Sequence, residues 1–105
     1  MYDIDSIRSL FIGRAVEVTQ HFHNRIKERS IKYTDVSNAI LNGEIIDQVL
    51  DDYPNPSVLI LGKTADNKYL HVIVGVDDDK LWLITTYYPT LDIWNPDYKT
   101  KKEYK

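Results

Sequence analysis

His21, Arg25 and Arg29 stand four residues apart in the run His21-Phe22-His23-Asn24-Arg25-Ile26-Lys27-Glu28-Arg29. On a helix this spacing drifts only slightly around the axis, so the three side chains form one polar stripe. Phe22 and Ile26 lie just beside the stripe, which places it at the border of a core. Histidine can give or take a proton near neutral pH, and the arginine fork can grip two oxygens of a phosphate. A plainer reading stands next to this one. Arginine stems often cover apolar surface while their heads pair with a nearby acid, and a histidine near a helix start can simply be solvated. His23 projects from a different part of the helix and is expected to be solvated.

His71 lies inside the apolar run Tyr69-Leu70-His71-Val72-Ile73-Val74. A histidine inside a strand loses hydration unless it is hydrogen-bonded. Alone, it reads as a satisfied structural residue. Thr85-Thr86-Tyr87-Tyr88-Pro89 ends the last apolar run, and its hydroxyls could position a phosphate or satisfy a strand end. If the turn at Asp77–Asp79 pairs Val76 with Leu81, then Val72 faces Thr85 and His71 faces Thr86. On that register His71 and Thr86 share a face, while Thr85 and Tyr87 share the other with Leu70 and Val72. A slip of one residue would exchange the faces.

Other chemistries find little support. The chain has no cysteine, so disulfides and thiolate metal clusters are excluded. His21 and His23 do not face each other on a helix, and Asp77–Asp79 lacks the alternation and glycine of a calcium loop. No phosphate-cradling glycine motif occurs, so neither a metal nor a cofactor is expected. The net charge of -3 argues against a large nucleic-acid footprint. Charge is uneven, however: Lys99, Lys101, Lys102 and Lys105 make a basic tail, and Asp77, Asp78 and Asp79 an acidic turn. No stretch approaches a membrane span, and Met1–Asp5 lacks the features of a secretion signal, so a cytoplasmic location is expected.

The elements that must position these residues follow from periodicity. The 105 residues suit one domain, and 43% hydrophobic with 28% charged is ordinary for a globular chain. Ile4, Ile7, Leu10 and Phe11 recur at helical spacing over about 4–11, with Gly13 as a stop. Residues 15–18 could form a short strand. Thr19 suits an N-cap for a helix over about 19–30. A third helix should start at Thr34, bury Val36, Ala39 and Ile40, and end at Asn42-Gly43. Four strands follow at about 44–50, 58–63, 69–76 and 81–88. The polar turns between the last three imply antiparallel neighbours. The expected fold is α+β, with the helices packed on one face of a four-stranded antiparallel meander. Leu59, Leu61, Val72, Val74 and Leu83 are expected in the core beside Phe22, Ile26, Val36 and Ile40, and the tail from Tyr98 should be frayed.

Taken together, the segments resemble a bacterial family, domain of unknown function 4258. The resemblance rests on the His-x-x-x-Arg-x-x-x-Arg pattern of His21, Arg25 and Arg29, then Ile31, Asp35-Val36 and Ala39-Ile40-Leu41-Asn42-Gly43-Glu44. It resumes at Leu59–Lys63, Leu70–Val74, Ile84–Pro89 and Trp94, covering about 15–95. The family tends to have glycine after the second arginine, where this chain has Ser30. The resemblance implies a likeness to small RelE-like or barnase-like toxin ribonucleases, with an antitoxin protein as partner.

Two functions remain open. One is a metal-independent endoribonuclease. His21, Arg25 and His71 would be its catalytic groups, and Arg29, Thr86 and Tyr87 would contact the RNA substrate. The other is a non-catalytic module that binds protein or single-stranded RNA, favoured by eight tyrosines. Neither a DNA partner nor a membrane is expected.

Overall fold

The structure is a computed structural model that describes residues 1–102. Its elements in chain order are α1 (Ile4–Ile12), β1 (Val16–Val18), α2 (Gln20–Glu28), α3 (Tyr33–Asn42), β2 (Glu44–Val49), β3 (Ser57–Lys63), β4 (Tyr69–Asp77) and β5 (Lys80–Tyr87). The expected α+β class holds, with three helices and one sheet. No helix among the described residues is long and apolar enough to cross a membrane.

The sheet departs from the expectation of four antiparallel strands. It has five, in the order β1-β5-β4-β3-β2. The meander from β2 to β5 is antiparallel throughout, as the short polar turns after β3 and β4 require of the last three strands. The fifth strand, β1, runs parallel to β5 at the edge, pairing Val16 with Leu81 and Val18 with Leu83. The parallel geometry is permitted by the long path between the two strands, which passes through two helices and the meander. Three residues carry too short an alternation to announce this partner in advance.

The three helices share one core with alternate strand residues. Ile7, Phe22, Ile26, Val36, Ala39 and Ile40 join Val58, Ile60, Leu70, Val72, Val74, Val76, Leu81 and Leu83. The phase of β3 is opposite to expectation: Val58 and Ile60 enter this core, whereas Leu59 is half-buried and Leu61 is buried outside the cluster. The run Val58-Leu59-Ile60-Leu61 is apolar at every position, so its alternation does not select a face. Gly62 lets α3 sit directly on β3, because a Cβ there would collide with the backbone of Ala39. Asp35 is nearly buried; its carboxylate accepts from Lys32 N–H at the start of α3 and from Ala65 N–H after β3.

The C-terminal segment is docked instead of frayed as far as it is described. Trp94 is 5% exposed and bridges to Lys101, while Tyr98 stacks on Tyr69 with ring centroids 4.8 Å apart. Residues 103–105, including Lys105 of the basic tail, lie outside the described residues.

Candidate functional site

β1 pairs with β5 only as far as Leu83, so the edge from Ile84 to Tyr87 needs another cover. Helix α2 supplies it. Its N-cap Thr19 accepts from Phe22 N–H and shares its hydroxyl proton between the carbonyls of Leu83 and Ile84. Farther along, His21 Nε2 lies 3.2 Å from Thr85 Oγ1, and Arg29 Nη1 donates to the Thr86 carbonyl at 2.8 Å. The polar stripe of α2 therefore does not simply face water. Its first and last members close onto β5. Arg25 turns instead to Glu28, at 2.7 Å.

The expected register changes inside β4 and β5. Val76 does pair with Leu81, but a bulge between Ile73 and Val74 lets β5 carry one extra residue, Ile84. Beyond it Val72 pairs with Thr86 and His71 with Tyr87, so the expected pairing of His71 with Thr86 is wrong by one position. Thr86 is buried and donates its hydroxyl to the His71 carbonyl at 2.7 Å. It braces the strands and offers no free group to a substrate. His71 shares its face with Tyr87, whose ring meets it edge-on at 5.2 Å between centroids.

His71 is fully buried. Trp94 packs edge-on against it with centroids 4.5 Å apart. His71 Nε2 lies 2.8 Å from the Tyr98 carbonyl, which can only accept, so Nε2 carries a proton. Nδ1 lies 3.2 Å from the Tyr87 hydroxyl and, in the neutral ring, receives that proton. Burial lowers the His71 pKa, and the bond to Tyr98 opposes this. Burial raises the Tyr87 pKa, with the Arg29 charge opposing. Both shifts keep a neutral ring against a protonated hydroxyl.

An opening of about 410 Å³ lies in front of this pair, lined by Arg29, Tyr87, Tyr88, Pro89, Ile93 and Trp94. Arg29 is the cation in its lining; Lys68 stands 6.0 Å from the Tyr88 ring centroid, and Lys101 stands 5.7 Å from that of Trp94, lining a neighbouring opening with Asp47. Such a mixture of flat rings and positive charge suits an unstacked base joined to a phosphate.

The structure thus links Arg29, Thr86, Tyr87 and His71 through successive contacts, with His21 one strand residue away at Thr85. No contact among the described residues joins His71 to His21 or Arg25, and His23 is exposed. Sequence reasoning missed the part played by Tyr98 and Lys68, and named Lys101 only as part of a basic tail. A backbone carbonyl leaves no mark in a residue pattern. Trp94, a large aromatic isolated in a polar tail, was the one available signal that this tail folds back.

These features define a small α+β domain with an aromatic-walled opening that holds Arg29, where a helix seals a sheet edge. The chain belongs to the family described as a domain of unknown function, DUF4258, whose model matches residues 18–88. That span holds His21, Arg25, Arg29, His71, Thr86 and Tyr87, whereas Trp94 and Tyr98 lie beyond it. No curated protein and no solved structure matches the chain.

Proposed function

We propose that this domain acts on single-stranded RNA as a metal-independent endoribonuclease of the toxin type, held in check by an antitoxin protein. The toxin class and the antitoxin rest on the family resemblance. The RNA reading rests on one observation: the Arg29 guanidinium is fixed by the Thr86 carbonyl at the lip of an opening walled by Tyr87, Tyr88 and Trp94. A guanidinium held on one side keeps its other donors for a phosphate.

RNA cleaves at its own 2′-hydroxyl when that oxygen loses its proton, the phosphate charge is met, and the leaving oxygen gains a proton. Arg29 meets the charge. His21, exposed beside Thr85, takes the 2′-hydroxyl proton, and solvent water gives the leaving oxygen its proton. His71 acts through Tyr87, as a positioning residue that fixes its hydroxyl, since both ring nitrogens are already engaged. Arg25 supports the helix through Glu28.

The test is a labelled single-stranded RNA incubated with the pure protein, scored for binding and for cleavage. Arg29→Ala should weaken both, with a loss of roughly 10²–10³ in cleavage rate. His21→Ala should abolish cleavage and spare binding. Absence of binding by the wild-type protein would overturn the proposal.

The engagement of both His71 nitrogens favours a second reading, in which the same opening binds RNA without cutting it. Binding lost in Arg29→Ala, with no cleavage by the wild type, would select it.

A further inference from the structure

A chain of hydrogen bonds behind the Arg29 opening fixes the direction of the Tyr87 hydroxyl. The Tyr98 carbonyl can only accept, so it holds the His71 proton on Nε2, at 2.8 Å. Nδ1 of the neutral ring can then only accept, and the Tyr87 hydroxyl, 3.2 Å away, donates to it. His71 is fully buried with Trp94 packed edge-on against it, which holds the imidazole in this setting. With its one proton committed inward, the Tyr87 oxygen keeps only lone pairs for anything else that it meets.

Tyr87 is half-buried and lines the opening with Arg29, whose positive charge reaches its hydroxyl. The two groups place opposite demands on one ligand. Arg29 has only donors and calls for an anion. An oxygen with lone pairs alone calls for a donor, and Arg29 beside it disfavours a cationic one such as an ammonium. A ribose with its phosphate answers both demands within one nucleotide, through a neutral 2′-hydroxyl next to a charged phosphate. Deoxyribose lacks that donor.

We infer that Tyr87 reads the ribose 2′-hydroxyl of the nucleotide whose phosphate Arg29 holds, and so selects RNA over DNA, with His71 as the positioning residue that sets its polarity. This selection rests on the RNA reading of the opening and holds whether or not the strand is cut. The hydroxyl that Tyr87 reads is not the one that reacts. His21 stands at Thr85, two residues back along β5 or about 7 Å away, so the attacking 2′-hydroxyl belongs to a neighbouring nucleotide.

Four single strands of one base sequence, differing only at the 2′ position, separate a sugar contact from a base contact. RNA and 2′-amino RNA carry a donor there; DNA and 2′-fluoro RNA carry none. Sugar pucker divides them differently, because 2′-fluoro RNA keeps the form of ribose and 2′-amino RNA that of deoxyribose. Fluorescence anisotropy with the wild-type protein at pH 7.5, read before any strand is cut, should show the two donor strands binding roughly 3–10-fold more tightly than the other two. Tyr87→Phe should bring all four to the level of DNA while DNA itself binds as before. His71→Leu, which frees the Tyr87 hydroxyl to turn, should narrow the gap between the two pairs. Equal affinity of the wild type for all four strands, a preference that follows pucker, a preference that survives Tyr87→Phe, or a gap unchanged in His71→Leu would overturn the role given to Tyr87 and leave the opening a nucleic-acid site. Binding of none of the four by the wild type would overturn the RNA reading and this selection with it.

Discussion

With Nε2–H given to the Tyr98 carbonyl and Nδ1 receiving the Tyr87 hydroxyl, His71 keeps no nitrogen for a substrate. Its depressed pKa makes it a stability sensor. The unfolded chain binds a proton at His71 near the ordinary value of about 6.5, whereas the folded chain resists until lower pH. Below about 6.5 the unfolded state therefore holds more protons, and stability rises with pH there. The contribution of His71 is complete above about 6.5 and is lost as pH falls through its depressed folded value. Urea unfolding followed from pH 7.5 down to 5 should show this decline, and His71→Gln should flatten it. An equally steep decline in the variant would place the effect elsewhere.

At the scale of elements, Ser30 shows what a single substitution does to a helix end. It follows the last turn of α2 with φ 54, in the left-handed region that favours glycine. The glycine that the resemblance leads one to expect here would meet a backbone need, and this chain makes the turn with serine. Ser30→Gly should stabilise the fold by on the order of 1 kcal/mol, measured as a higher urea midpoint with an unchanged slope. Ile26, 7% exposed on the same helix, should cost about 2–5 kcal/mol when cut to alanine; an unchanged unfolding curve would remove it from the core.

The helices were legible because they announce themselves twice, through apolar period and through caps such as Thr19 and Gly13. The meander was legible through its polar turns. Its details were not. Val58-Leu59-Ile60-Leu61 is apolar throughout and hides its phase, and the bulge at Ile84 moves His71 one partner along with no local residue to signal it. The candidate site suffered most from that slip. His21, Arg29 and Tyr87 were readable as residue types, but the burial of His71 depends on Trp94 and Tyr98 folding back from the tail.

For the whole molecule, a net charge of -3, with Arg29 at the opening and Lys68 and Lys101 set against the rings of Tyr88 and Trp94, is compatible only with a small electrostatic footprint. Three cations meeting a single strand give a slope of roughly -2 when the logarithm of affinity is plotted against that of salt. Fluorescence anisotropy at several salt concentrations checks this, and a much steeper slope would mean that more of the surface takes part.

The most direct measurement of the central claim is incubation of wild-type protein and Arg29→Ala with one end-labelled single-stranded RNA, read in parallel by anisotropy and by gel. The account predicts that the wild type binds and cuts the strand, leaving ends from attack by the 2′-hydroxyl, and that Arg29→Ala loses both while remaining folded, with a modest loss of stability from the Thr86 bond. Equal binding by the two proteins, or no binding by either, would contradict it.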